Sequence, residues 1–270
     1  MLNTELRQNH IIRPEMPVSR EMPVISVTES RYSLRLARDA GEIDAALKLR
    51  FEVFNLELGE GLDASFTTMR DRDRYDRQCH HLLVIENATG MVVGTYRMQT
   101  LAIALSGEGF YSSELFDLSA LPLEVLEHTI EVGRACIAKA HRNGRVLYLL
   151  WKGIARYMQQ YHKRYLFGCC SLTSQDPFDG KSLMDYLEAH NHRHPTLTVP
   201  PQPGYECYPG HFSGDLHHSV DMPRLLRTYL QYGAKVCGPP ALDRGFKTID
   251  FFVLLDIAQF NRKTYLVFFS

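Results

Sequence analysis

Apolar and polar positions alternate through YSLRLA from Tyr32, the pattern of a half-buried strand, and the period then lengthens. In AGEIDAALKLRFEVFNLEL, Ile43, Leu47, Phe51 and Phe54 recur at helical spacing, which predicts a helix directly after the strand. HLLVIENATGMVVGTYRMQT holds two β-rich runs around Asn-Ala-Thr-Gly and predicts a hairpin. Ser106 to Leu126 has no sustained period and predicts irregular or short helical structure. HTIEVGRACI, residues 128 to 137, predicts a strand, followed by a long helix from Asn143-Gly144 to about Lys163, a strand at YLFGCCSL and a helix at DGKSLMDYLEAH. Residues 190 to 215, rich in Pro, Gly, His and Tyr, predict a long loop before a helix over Met222 to Tyr232 and a strand at FKTIDFFVLL. The order predicts a mixed α/β (α+β) fold without internal repeats. A single domain is expected over 31–270, with a C-terminal extension over about 190–270. Residues 1–30, where Pro14, Pro17 and Pro23 interrupt a stretch of little periodicity, are expected to form a poorly ordered arm outside the core.

Inside HTIEVGRACI, Glu131 and Arg134 put two charges into a strand that Ile130 and Val132 mark for burial. Side chains of a regular strand alternate, so residues three apart would point to opposite faces. A bulge at Gly133 would insert one residue, bring both charges to one face and leave a backbone N–H unpaired. That arrangement supplies a carboxylate as base or amine anchor, an arginine to orient it and a donor for a developing oxyanion. A structural ion pair crossing the strand accounts for the same two residues equally well.

Other clusters carry less. In DRDRYD, Asp73 and Asp76 read by default as part of a solvated charged loop, with closure on a cationic substrate as the alternative; the ligand ladder and fixed glycine of a calcium loop are missing. Cys79-His80-His81 and the histidines of HNHRH lack a second ligand pair at zinc spacing, so no metal site is expected. Cys169 and Cys170 read as core positions, because adjacent strand residues face opposite ways and no base lies near them in sequence.

With 45% hydrophobic residues in 270, the chain can bury a large core, and 30 Lys plus Arg against 31 Asp plus Glu imply no nucleic-acid partner. No apolar run approaches the roughly 20 residues of a membrane helix. MLNTELRQNH lacks the pattern of a secretory signal and the six cysteines form no CxxC pair, so a cytoplasmic location with reduced thiols is expected. Charge is patterned only locally. Arg145, Lys152, Arg156 and Lys163 fall on one stripe of the predicted long helix, opposite Leu147, Leu150, Trp151, Ile154 and Met158. A solvated face is the ordinary explanation; docking to an acidic partner is the other.

The order strand, helix, hairpin, interrupted strand, helix, strand, helix resembles the GNAT acyltransferase fold. That fold is a mixed central sheet flanked by helices, and its bulged fourth strand splays from its neighbour to admit the pantetheine arm of the acyl donor. Arg50 and Phe54 in LRFEVF, Asp73 and Asp76 in DRDRYD, Arg97 in GTYRM, and Glu131 with Arg134 in EVGR are similar to the pattern of acyl-homoserine-lactone synthases. HLLV, VVGTYR, FYSSELFDLS, LYLLWKGIARY and GAKVCGPPALDRGFKTIDFFVLLD resemble the related branch that contains the ornithine lipid N-acyltransferases, often labelled hemolysin-like, over roughly residues 32 to 268. Lactone synthases do not carry the C-terminal block, and the only tryptophan here is Trp151, with none after Phe54 of the kind they use. The resemblance therefore implies acylation of an amino acid.

It implies more about the parts. HRNGRV has one glycine where GNAT enzymes using coenzyme A carry Q/R-x-x-G-x-G/A, which suits the acyl-phosphopantetheine of acyl carrier protein and no permanently bound cofactor. Carrier proteins are acidic, which makes Arg142, Arg145, Lys152 and Arg156 the expected docking residues. Glu131 is expected to take the amine proton, Arg134 to hold Glu131, and an N–H near Gly133 to Ala135 to stabilise the oxyanion. Arg50 and Arg97 are expected on the substrate carboxylate and Phe54 beside it, with Asp73 and Asp76 on a cationic side chain such as that of ornithine. The apolar backs of the central strands and of the Leu147 to Met158 helix would line an acyl tunnel. A lipid product implies contact with the inner membrane surface, helped by Arg13 and Arg20. Alternative readings are an N-acyl amino acid synthase acting on glycine, lysine or tyrosine, a lactone-synthase-like enzyme, and a non-catalytic module that binds acyl chains or carrier protein.

Overall fold

The computed structural model describes residues 23–212 and 220–269. Most of the expected arm, residues 1–22 with Arg13 and Arg20, and the end of the expected long loop, 213–215, lie outside the described residues. The sheet starts inside the stretch read as an arm, with β1 at Ser26–Thr28. The remaining strands are β2 Tyr32–Leu36, β3 His80–Glu86, β4 Val92–Thr100, β5 Thr129–Ile137, β6 Tyr165–Leu172, β7 Lys235–Val236, β8 Ala241–Asp243 and β9 Thr248–Asp256. They form one sheet in the order β1-β2-β3-β4-β5-β6-β9-β7, with β8 also on β9.

The longer helices are α1 Ala40–Phe51, α2 Arg145–Gln160, α3 Pro177–Ala189, α4 Arg224–Gln231 and α5 Arg262–Phe269. The helix expected through Leu58 changes geometry after Phe51: Glu52–Glu57 is a π-helical turn, closed by Leu58 N donating to Val53 O. This wider turn carries Phe54 to an edge-on contact with Phe246, 5.4 Å between ring centres. Ser106 to Leu126 contains only short helical turns, as its lack of period predicts.

Every strand pair is antiparallel except β5 with β6. Parallel neighbours need a crossover, and α2 supplies it. Its Val146, Leu149, Leu150, Ile154 and Met158 are buried against the sheet in the main core, together with Leu34, Leu82 and Tyr96. Each such side chain contributes roughly 1.5–3 kcal/mol by leaving water.

The parallel pair is short. β5 and β6 share only Thr129↔Tyr165, Ile130↔Leu166 and Glu131↔Phe167; beyond that β5 follows β4 and β6 follows β9, which opens a wedge. Gly168 stands where they part, and a Cβ there would lie 2.2 Å from Val132 O, so only glycine lets the strands approach before they diverge. This is the splayed strand of the GNAT fold, fifth here because β1 precedes it. The bulge is present but displaced by one residue from expectation. Opposite Thr95 to Arg97 on β4, β5 runs from Cys136 to Gly133 and so holds one extra residue, and it is Arg134 that takes the left-handed conformation (φ 50°), not Gly133.

Candidate active site

The wedge opens into a cavity of about 710 Å³ that crosses the sheet. On the face covered by α2 and α4 its walls are apolar, with Tyr96, Met98, Val132, Leu147, Leu150 and Leu226. The register places Gln99, Glu131, Cys169, Ser171 and Asp250 together on the opposite face, where they form a polar wall with Arg97, Tyr111 and Arg134. A chain with a charged head and a long apolar tail fits such a division. A second cavity, about 640 Å³, lies on the other side of Tyr111 and Arg134, which line both spaces; it is bordered by Asp73, Glu114 and Asp243.

Glu131 is 5% exposed and lines the first cavity. Its Oε2 accepts from Gln99 Nε2 (2.6 Å) and Tyr111 N (3.0 Å), and its Oε1 from Ser112 N (2.7 Å). A carboxylate offers about four acceptor positions, so one on Oε1 is left for a water or an amine. Arg134 does not hold Glu131, contrary to expectation. The displaced bulge turns the guanidinium the other way, with Nη2 on Asp73 Oδ2 at 3.0 Å and Nε 3.4 Å from Asp71 Oδ2. The rings of Tyr111 and Phe246 lie over it at 4.6 and 4.3 Å.

The arginines and aspartates close into a buried network. Arg50 donates to Asp71 (2.7 Å) and Asp76 (2.6 Å), and Arg97 Nη1 to Asp73 (2.5 Å) and Asp76 (2.9 Å). Burial alone would raise the Asp73 and Asp76 carboxyls, but the arginines outweigh it and hold both below the usual range. Two assignments are thereby corrected. Arg50 is fully buried and absent from both cavity walls, so it is spent on aspartates and not on a substrate carboxylate. Asp76 likewise reaches neither cavity, and Asp73 borders only the second with its oxygens already on Arg97 and Arg134, so this pair does not hold a cationic side chain. Arg97 does line the first cavity, and the hydrogen bonds it makes use Nη1 alone; Phe54 lines it too.

Cys79, His80 and His81 pack inward. Burial pushes the Cys79 thiol up to about 12 and lowers His81 to about 4, so the histidine is neutral and bonds to Asp76 O. Cys169 and Cys170 both line the cavity, Cys170 from the core side, and both thiols are driven up by burial and by Asp250. A protonated thiol is no nucleophile.

The basic stripe, which runs along α2 and past its end at Gln160 to Lys163, is partly occupied. Arg145 pairs with Glu29, Arg156 donates to Ser26 O and Lys163 to Glu127 O, while Lys152 has no partner among the described residues. Arg142, at the cavity rim with Gly144, pairs with Glu57.

Sequence reasoning missed Gln99, Tyr111, Glu60, Asp243 and Asp250. Asp250 carried a signal: it is a lone acid between Ile249 and Phe251 in a strand otherwise read as core, the same anomaly that marked Glu131. It is 2% exposed, and burial first, then neighbouring Asp243, push it up to about 7 against the hydrogen bonds of Ser171 and Thr248. Glu60 is likewise raised by burial and accepts from Thr173 Oγ1. Both line the first cavity.

Residues 49–152 match the family model of the acetyltransferase (GNAT) domain. The L-ornithine N(alpha)-acyltransferase of Brucella abortus (strain 2308) is 31% identical over 252 residues, covering 85% of this chain and 86% of the relative. The enzyme of the same name from Rhodobacter capsulatus is 30% identical over 241 residues, covering 86% and 92%. Among solved structures, the acyl-homoserine-lactone synthase LasI overlays with a TM-score of 0.48 at 15% identity, over 89% of this chain and 96% of that one. With a sheet that parts at Glu131 and relatives that align along most of its length, the chain belongs to the L-ornithine N(alpha)-acyltransferase family.

Proposed function

We propose that the protein transfers a 3-hydroxy long-chain acyl group from the phosphopantetheine of acyl carrier protein to the α-amine of ornithine, yielding an N-acyl amino acid for ornithine lipid synthesis. The observation that carries this reading is the cavity through the β5–β6 wedge, polar on the Glu131 face and apolar towards α2. A thioester in the wedge would send its acyl chain along Met98, Leu147 and Leu150 and present its carbonyl to the polar face. The relatives' name supplies the acceptor.

The amine must be neutral to attack. Glu131, through its open Oε1 position, takes the proton directly or by way of a water, while the amine nitrogen bonds to the thioester carbon. Strand backbone N–H groups between Gly133 and Ala135, past the last β6 pairing, stabilise the oxyanion. As the carbonyl re-forms the C–S bond breaks, and the thiolate recovers the proton from Glu131, leaving an amide and a free pantetheine thiol. Arg97 offers its remaining N–H groups to the substrate carboxylate, with Phe54 beside it. Arg134 acts as the wall between the two cavities. Arg142, Arg145, Lys152 and Arg156 provide the positive surface for the acidic carrier, the exposed pairs of Arg142 with Glu57 and Arg145 with Glu29 being weak and readily exchanged. The product's two-part character places the reaction at the inner membrane surface; among the described residues no helix is long and apolar enough to cross a membrane.

Purified protein with 3-hydroxyacyl carrier protein and ornithine, followed by mass spectrometry, tests the reading: the N-acyl-ornithine product is expected, and Glu131→Gln lowers kcat on the order of 10²-fold or more. Near-normal turnover of Glu131→Gln at saturating substrate would remove the proton-acceptor role, and product with glycine, lysine or tyrosine alone would replace the acceptor.

A further inference from the structure

The acids around the wedge fall into two electrostatic classes. Asp71, Asp73 and Asp76 each have an arginine within salt-bridge distance. Glu60 and Asp250, which line the cavity, have none among the described residues and are held by neutral hydroxyls only. Ser171 Oγ donates to Asp250 Oδ1 at 2.5 Å and Thr248 Oγ1 to Oδ2 at 3.1 Å, so both oxygens are oriented without being neutralised. Thr173, two residues beyond Ser171 at the end of β6, anchors Glu60 in the same way. Both acids thus line the polar side of the wedge, with Cys169 between Asp250 and Glu131 and feeling the charge of both. The positive charge of Arg134 reaches Asp250 and Glu60 only as a minor influence on each.

A buried carboxylate without a counter-ion is costly and either takes up a proton or is met by an opposite charge, and a cavity leaves room for that charge to come from a ligand. Glu131 differs, because amide donors already surround it. Asp243 differs too, accepting from Tyr111 Oη and Phe246 N and bordering the second cavity. We infer that Asp250, assisted by Glu60, is the counter-ion for the side-chain ammonium of the acceptor and so determines selection of a dibasic amino acid over a neutral one. This rests on the acyltransferase reading and assigns the specificity within it: Glu131 meets the α-amine, Arg97 the carboxylate, and Asp250 the far end of the side chain. It also replaces Asp73 and Asp76 in the role the sequence suggested for them.

The experiment compares ornithine with norvaline, the same carbon skeleton lacking the side-chain amine, as acceptors for 3-hydroxyacyl carrier protein, in the wild type, Asp250→Asn and Glu60→Gln. The wild type is expected to favour ornithine by at least tenfold in kcat/KM; Asp250→Asn collapses that ratio by tenfold or more, chiefly through KM for ornithine, and Glu60→Gln by a smaller factor. Proportional losses on both acceptors in Asp250→Asn would overturn the inference, assigning the residue to the reacting groups or to folding. If Asp250→Asn fails to fold, Glu60→Gln decides: an unchanged ratio overturns the inference, and a reduced one sustains it. A wild type that acylates norvaline as well as ornithine also overturns it while leaving the acyltransferase reading intact, whereas a wild type that acylates neither overturns that reading itself.

Discussion

The arginine–aspartate network and the acids of the cavity wall lie side by side on one face of the sheet and are treated in opposite ways. Arg50, Arg97 and Arg134 compensate Asp71, Asp73 and Asp76 so fully that Asp73 and Asp76 stay ionised below the usual range despite burial. A short distance away Asp250 has hydroxyl partners alone and is driven up to about 7. A closed network is costly to break because its buried charges depend on one another, whereas an acid without a counter-ion in a cavity has room for one from a ligand. The resemblance to lactone synthases marked the network residues Arg50, Asp73, Asp76 and Arg97 as substrate-binding and left Asp250 and Glu60 unmarked; the partners each acid finds in the fold separate the two groups.

The largest effect expected on this contrast comes from Arg50→Ala. It leaves Asp71 and Asp76 buried without their shared cation and should cost about 3–5 kcal/mol in denaturant unfolding. A loss under about 1 kcal/mol would mean that water or Arg97 takes over, and that the network is not closed.

Asp250→Asn should do the reverse. Because its folded carboxyl is raised, the native state binds the extra proton between the unfolded value near 3.8 and about 7, so wild-type stability declines as pH rises through that window and stays lower above it. The variant removes this penalty, which grows by roughly 1.4 kcal/mol per pH unit, less about 1 kcal/mol for a lost hydrogen bond. The groups facing Asp250 are Asp243, Cys169, Cys170, Tyr111 and Arg134, and burial keeps the two thiols and the phenol protonated near neutral pH. Thermal unfolding at pH 5 and pH 8 checks it: a gain that is larger at pH 8 is expected, and equal shifts at both would place the carboxyl in a more polar setting. A variant more stable yet unable to select ornithine would be a direct exchange of stability for function.

Acid should affect the closed network in the other direction. Asp73 and Asp76 have lowered folded values, so their contribution is complete above about 3.8 and disappears as pH falls below it. Arg50→Ala should therefore show a flatter acid limb than the wild type, read by fluorescence of the single Trp151. The smallest effect belongs to the surface. Arg145→Ala, breaking an exposed pair with Glu29, should leave stability nearly unchanged but raise KM for acyl carrier protein a few-fold at low salt, a difference that closes at high salt. A salt-independent change would point away from electrostatic docking.

Much of the fold was legible because periodicity reports local burial. YLFGCCSL became β6 at Tyr165–Leu172, and the stripe of Leu150, Trp151, Ile154 and Met158 became the buried face of α2. β7, β8 and α5 were not, since two- and three-residue strands have no period to read and α5 leaves Tyr265, Leu266 and Val267 largely exposed. The candidate site was legible in its residue types and not in its pairings. Glu131, Arg97 and Phe54 were marked and reach the cavity, whereas Arg50 was marked and does not.

The sequence by itself determined that a charged, glycine-containing strand would be central and interrupted, because β-branched residues around Glu131 and Arg134 demand burial and the charges demand a reason. It also determined the alternation of strand and helix on which the crossover depends. Which charges face one another was decided only by the tertiary structure. The left-handed turn at Arg134 sends its guanidinium to Asp73, 61 positions earlier, and leaves Glu131 to Gln99 and two loop amides. Coulomb and hydrogen-bond energies depend on separations of a few ångströms, and such separations between distant segments are set by how the sheet twists and parts, not by spacing along the chain.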